Sequence, residues 1–150
     1  MPSDTAEPLV NGQPPAPRAL LHIGTSSWNF KEWRDVFYPA SVATADQLAY
    51  YARQFNSVEV NTSFYALPKP ETLIGWVEQV PPGFTFALKV PQQISHRKRL
   101  VDCRADMLAY LDAMRSLGSL AAPGFLQLPP SFTRTNGGRA LADFLDQQLG

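Results

Sequence analysis

Four strand-like runs alternate with four helix-like segments along this chain, and that alternation restricts the fold more than any other feature of the sequence. The runs are "LLHIGTS" (20–26), "SVEVN" (57–61), "FTFALKV" (84–90) and "GFLQL" (124–128). Strands separated by helices cannot pair as hairpins. Their connections cross over the sheet and set neighbouring strands parallel, so the expected class is α/β.

The intervening segments carry helical periodicity. "TADQLAYYARQF" opens with Thr44 as a candidate N-cap and Gln47 three residues on, and aligns Leu48, Tyr51, Ala52 and Phe55 on one face. "PETLIGWVEQV" starts with Pro70 at a first helical position and aligns Leu73, Trp76, Val77 and Val80 around an interior Gly75. "DMLAYLDAMRSLG" aligns Met107, Leu111 and Met114 before a terminating Gly118, and "RALADFLDQQLG" aligns Leu141, Phe144, Leu145 and Leu149.

Alternate residues of a strand face opposite sides, and the two phases here differ. One is apolar: Leu21 and Ile23; Val58 and Val60; Phe86, Leu88 and Val90; Leu126 and Leu128. These are expected to pack under the helices. The other is small or polar: Gly24 and Ser26; Glu59 and Asn61; Ala87 and Lys89; Gln127. A doubly wound sheet buries apolar residues on both faces, whereas a barrel tolerates polar groups at its C-terminal mouth, so the pattern points to a (β/α) barrel. A closed barrel of this kind takes eight strands and about 250 residues. Four units in 150 residues correspond to the N-terminal half of one.

Composition narrows the remaining classes. With 45% hydrophobic residues, the chain can build the core of one domain. Thirteen Lys and Arg balance thirteen Asp and Glu, so no global field recruits nucleic acid or an anionic membrane. The single cysteine, Cys103, excludes an internal disulfide framework and a cysteine-rich zinc site, and makes a cytoplasmic setting the default. No apolar run reaches the roughly 18 residues of a membrane span. Positions 1–18 hold five prolines and two acidic residues, which reads as a disordered leader with too little apolar surface to order itself. The folded unit is expected over 19–150.

Several motifs in order carry a family resemblance: "IGTSSWNFKEWRDVFYP", "FNSVEVNTSFYALP", Trp76, the Pro-x-x-Phe-x-Phe-x-x-Lys-Val run ending at Val90, His96, and "LQLPPSF". Together they resemble the YecE-like family, the proteins carrying domain of unknown function 72, from about residue 21 onward. The resemblance implies a TIM-like barrel without an assigned reaction. Members continue into a second half with a Glu-Phe-Arg strand and an asparagine pair, neither of which this sequence contains, so the chain reads as truncated. Its first and fourth strands would then be open edges, to be met by the missing half or by self-association.

Active sites of such barrels lie at the C-terminal strand ends and in the loops beyond. That rule selects Thr25, Ser26, Trp28, Glu59, Asn61, Phe64, Tyr65, Lys89, His96 and Gln127. Glu59, Lys89 and His96 are the candidate catalytic residues: Glu59 as a general base, Lys89 and His96 for electrostatic and acid/base work on an anionic or phosphorylated small substrate. Ser26, Trp28, Asn61, Tyr65, Arg97 and Gln127 are candidate ligand contacts. Glu59 and Lys89 share the inward phase on neighbouring strands, so an ion pair between them is the structural alternative. The "HRKRL" run (96–100) with Trp28, Phe64 and Tyr65 supports a second reading, a nucleic-acid-binding or nuclease-like protein, against the plainer one of a solvated loop. A third reading is an inactive fragment. Trp33 and Trp76 are expected in the core. Glu59, His96, His22 and Asp102 form no recognised metal motif, no glycine-rich phosphate loop is present, and no cofactor is assigned.

Overall fold

The structure, a computed structural model, describes residues 21–149. The expected leader therefore lies outside the described residues. A parallel pair of strands forms the centre, β1 (Ser57–Val60) and β2 (Thr85–Leu88), with Val58 level with Phe86 and Glu59 level with Ala87. Among the described residues four α-helices accompany it: α1 (Gln47–Tyr51), α2 (Pro70–Val77), α3 (Arg104–Ser116) and α4 (Arg134–Leu149). The α/β class and the parallel pairing agree with the sequence pattern.

Among the described residues only two of the four expected strands are regular. Residues 21–27 and 121–128 run alongside as irregular extended segments, the first bridged to β1 at Ser26–Glu59 and the last to β2 at Phe86–Ala121 and Lys89–Phe125. Their backbone bonds alternate as in a parallel ladder: Glu59 N–H to Thr25 O at 3.0 Å and Ser27 N–H to Glu59 O at 2.8 Å on one side. On the other side, Phe125 N–H reaches Leu88 O at 3.1 Å and Val90 N–H reaches Phe125 O at 2.8 Å. Each segment has a neighbour on one side only, which leaves half of its backbone groups without a ladder to regularise it. The two central strands are also shorter than expected, because Asn61 already opens a 3-10 turn (Asn61–Phe64) and Pro91 follows Val90.

Side chains repair part of the irregular edge. Asn56 imitates a strand partner: its Oδ1 accepts from Ile23 N–H at 2.7 Å and its Nδ2 donates to Leu21 O at 2.8 Å. Gly24 passes so close to β1 that a Cβ would stand 1.8 Å from Ser57 O. The close approach lets the Tyr51 hydroxyl meet Thr25 N–H at 2.8 Å.

The apolar phase is buried where helices cover it. Val58, Val60, Phe86, Leu88 and Val90 join Leu48, Tyr51, Leu73, Met107, Tyr110 and Phe144 in one core. Leu21 and Ile23 do not: they are 71% and 54% exposed, against expectation, because no described helix lies over the first segment's outer face. Leu145 of α4 is likewise exposed rather than packed. α2 begins at Pro70 as the sequence indicates. α3 ends before Gly118, whose φ of 56° lies in the left-handed region that glycine occupies without a Cβ penalty.

The capping box expected at Thr44 is absent. Residues Thr44–Asp46 form a 3-10 turn, and Thr44 Oγ1 accepts from Arg34 Nη2 at 3.3 Å instead of capping α1. A comparable reciprocal cap occurs at α4, where Thr133 N–H donates to Asn136 Oδ1 at 2.9 Å and Asn136 N–H donates to Thr133 Oγ1 at 3.4 Å.

Candidate functional site

The inward phase forms the open face of the sheet, and its residues are half-buried: Glu59, Thr85, Ala87 and Lys89. At the N-terminal end of this face His22, Ser57 and Thr85 make a small polar cluster, with Thr85 Oγ1 at 3.2 Å from His22 Nδ1 and 3.0 Å from Ser57 Oγ. His22 is thus engaged at the opposite end of the strands from the candidate site. Among the described residues no three His, Cys, Asp or Glu side chains converge as metal ligands.

At the C-terminal end, Lys89 carries the most informative geometry. Its ammonium lies over the Phe64 ring at 5.0 Å from the centroid and over the Phe125 ring at 5.6 Å. Ring quadrupoles attract a cation but do not neutralise it. The expected Glu59–Lys89 ion pair is not made. Register explains this: Glu59 is level with Ala87, and Lys89 stands two residues further along, about 6.6 Å at the usual strand rise. The half-buried Glu59 carboxylate makes no ion pair or side-chain hydrogen bond among the described residues.

Phe64 also meets His96, edge to face at 5.0 Å. One aromatic ring therefore borders both the lysine and the histidine. His96 sits in a π-helical turn (Gln93–Arg97), in which Lys98 N–H reaches back to Gln93 O at 2.9 Å. Such wide turns concentrate at functional sites. The fully buried Ser95 donates its single hydroxyl proton to Pro91 O at 3.1 Å, and its oxygen lies 2.9 Å from His96 Nδ1. With that proton on Pro91 O, the oxygen accepts from Nδ1–H and leaves the Nε2 lone pair available; the alternative tautomer takes the Ser95 proton at Nδ1.

Buried Ser63 ties the strand ends together, its hydroxyl lying 2.6 Å from Val60 O and 2.7 Å from Lys89 O. Sequence reasoning missed Ser63, Ser95 and Asn56. Ser63 and Ser95 were hinted at only by standing next to Phe64 and His96, and Asn56 by nothing in the sequence.

The remaining candidates divide. Ser26 is level with Glu59 and exposed, Asn61 is half-buried, and Gln127 and Tyr65 are exposed. Thr25 is occupied within the fold, its hydroxyl bonding Ser27 O at 2.7 Å and meeting the Tyr51 hydroxyl at 2.9 Å. Ser27 adopts a φ of 79°, a left-handed conformation that is costly for a residue with a Cβ. Trp28 packs its edge against Trp76 at 5.1 Å, and its carbonyl accepts the Tyr38 hydroxyl. Trp33 sits among Phe30, Phe37, Tyr38 and Tyr51, and Trp76 stacks on Phe86.

The basic run is largely committed to internal contacts. Lys98 pairs with Asp106 at 2.8 Å, and that hydrogen bond raises its pKa. Arg99 donates to Ser131 O and to Asn136 Oδ1 and lies over Phe132 at 5.0 Å. Arg97 is the cation of the run left exposed without a partner among the described residues. A cleft of about 560 Å³ lies elsewhere, between Asn29, Phe30, Lys31, Arg34, Thr44 and Gln47.

Among known proteins, the chain is 37% identical to the UPF0759 protein YecE of Escherichia coli over 134 residues, covering 87% of this chain and 45% of YecE. It is 30% identical to the UPF0759 protein YunF of Bacillus subtilis over 80 residues, covering 53% of this chain and 27% of that protein. The crystal structure of a DUF72 family protein from Thermotoga maritima is similar, with a TM-score of 0.68 and 27% identity over 85% of this chain and 50% of the other. An Enterococcus faecalis DUF72 family protein superposes with a TM-score of 0.57 and 26% identity over 66% of this chain and 38% of that one. The chain thus spans about half the length of relatives it matches. A family model described as "Protein of unknown function DUF72" matches residues 22–150. The chain belongs to the DUF72 family.

Proposed function

We propose that the four parallel segments form half of a TIM-like (β/α) barrel and that their C-terminal ends make one wall of a site for an anionic, phosphorylated small molecule. The observation that carries this reading is Lys89. Its half-buried ammonium has two aromatic rings and no carboxylate beside it among the described residues. A cation held in partly desolvated space without a counter-charge favours an anion at that place.

His96 supports the same reading from the other side of Phe64, offering Nε2 as a proton acceptor or, once protonated, as a second cation. Glu59 stands deeper on the same face with its carboxylate uncommitted, which suits a general base acting on the organic part of the substrate. The nucleic-acid reading is less well supported, since Lys98 and Arg99 are spent on internal contacts.

The reaction itself is tested in a full-length DUF72 relative. A panel of phosphate monoesters is screened for binding and turnover, with the residues aligned to Glu59 and Lys89 replaced. Losing a charge-assisted contact of about 1.5–3 kcal/mol predicts a 10- to 100-fold weaker affinity for Lys89→Ala. Glu59→Gln is expected to lower kcat with little effect on affinity. Unchanged binding and turnover in both variants would refute the assignment.

A further inference from the structure

The loop between the first extended segment and α1 shapes a cleft of about 560 Å³, a size that suits a small molecule. It shares no lining residue with the Lys89 face. Trp33 anchors the loop among Phe37, Tyr38 and Tyr51, and the 3-10 turn that contains it (Lys31–Trp33) brings Lys31 and Arg34 to the cleft. Phe30, whose ring meets Trp33 at 5.0 Å, stays 40% exposed. Thr44 and Gln47, the first residue of α1, complete the lining.

Gln47 is the most telling of these side chains. It is only 6% exposed, lines the cleft, and its amide has no hydrogen-bond partner among the described residues. A carboxamide so buried ordinarily has one, because an unpaired polar group away from water is costly. Asn29 Oδ1 accepts from Ser27 Oγ at 2.8 Å, which leaves Nδ2 to donate elsewhere. Arg34 Nη2 donates to Thr44 Oγ1 at 3.3 Å, and its other N–H groups are uncommitted among the described residues. Glu32, Asp35 and Asp46 adjoin the cleft in sequence. None of them lines it or pairs with Lys31 or Arg34 among the described residues.

From this lining we propose a second binding site, for a small organic anion that carries a planar apolar ring. The anionic group meets Lys31, Arg34 and Asn29 Nδ2, the ring lies against Phe30, and the Gln47 amide gains its missing partner from a polar atom of the ligand. A guanidinium fork receives a carboxylate or a phosphate equally well, so the anionic group is either. The ring is required by the energetics. Exposed cations hold an isolated anion weakly in water, whereas an aromatic body adds apolar burial and ring contact with Phe30. The proposal makes no use of Lys89, and its failure would leave the reading of that residue standing.

The test is an NMR titration of the labelled 150-residue chain, read at Arg34 Nε–H, the Gln47 side-chain amide and the Phe30 ring. The probes are 2-naphthoate, 2-naphthyl phosphate, neutral 2-naphthamide and inorganic phosphate. Saturable shifts at all three groups are expected with naphthoate or naphthyl phosphate, and the tighter of the two identifies the anionic group. Naphthamide is expected to bind about tenfold more weakly, and inorganic phosphate not to saturate these signals. Arg34→Gln, Phe30→Ala and Gln47→Met are each expected to weaken the better probe about tenfold with an unchanged circular dichroism spectrum, whereas Lys89→Ala leaves it bound. No saturation with either ring-bearing anion, equal binding of naphthamide, or indifference to both Arg34→Gln and Phe30→Ala would overturn the proposal. The same probe is expected to bind a full-length DUF72 relative that carries the aligned residues. Its exclusion there would assign the cleft to the rest of that chain and would equally overturn the site.

Discussion

Gly24 illustrates how a single position decides the packing of the first segment. Replacing it with alanine drives a methyl group into Ser57 O, a backbone atom that cannot swing aside, and displaces the Tyr51 hydroxyl 3.1 Å away. Gly24→Ala is expected to cost about 1–3 kcal/mol in urea unfolding. Gly75→Ala, in α2 with nothing within 4 Å of the new methyl, is expected to stabilise by about 0.5–1 kcal/mol. Tyr110 supplies a pH signature. Burial pushes its pKa from 10.0 up to about 12, while its hydroxyl donates to Leu88 O at 2.8 Å. The neutral phenol is favoured in the folded state, so its contribution is complete below pH 10 and is lost as pH rises from 10 toward 12. Tyr38, also raised to about 12 by burial, adds in the same window. Tyr110→Phe is expected to cost about 1 kcal/mol at neutral pH and to flatten the alkaline decline in thermal-melt measurements. At this scale the sequence placed Glu59 and Lys89 on one strand phase, since alternation alone decides that. It could not show that Lys89 would turn to Phe64 and Phe125, because register and ring positions are tertiary facts.

Helices were legible where periodicity and punctuation agree, as with Pro70 opening α2 and Gly118 closing α3. They were less legible where polar side chains had competing partners. Thr44 has the spacing of a cap but bonds Arg34, while the cap at Thr133 and Asn136 precedes two glycines that obscure the start of α4. Asn136 has two duties, capping α4 and receiving Arg99 at 3.1 Å, so it fastens α4 to the loop after the His96 turn. Asn136→Ala is expected to cost about 1–2 kcal/mol, and hydrogen exchange should show α4 and residues 97–100 loosening together. Exchange confined to α4 would separate the two duties. The π-helical turn carrying His96 had no signature in the sequence. Left-handed backbone follows it at Arg99 and Leu100, with φ of 50° and 69°.

For the whole molecule, the parallel α/β order and the family were readable from alternating runs and ordered motifs. The two outer segments were read as full strands, yet each has one neighbour and remains irregular. Exposure of Leu21 and Ile23 has the same origin: an apolar face is encoded, but among the described residues nothing covers it. Lys89 and His96, on either side of Phe64 at the C-terminal end of that sheet, form the proposed anion site. Titration of isotopically labelled protein with inorganic phosphate, followed by NMR of lysine side-chain and histidine ring signals, tests it most directly. Saturable shifts are expected at Lys89 and His96, to be lost in Lys89→Ala, while Lys98 stays bound to Asp106 and unmoved. No saturable response at Lys89, or one centred instead on Lys31 and Arg34 in the cleft by Thr44, would contradict the account.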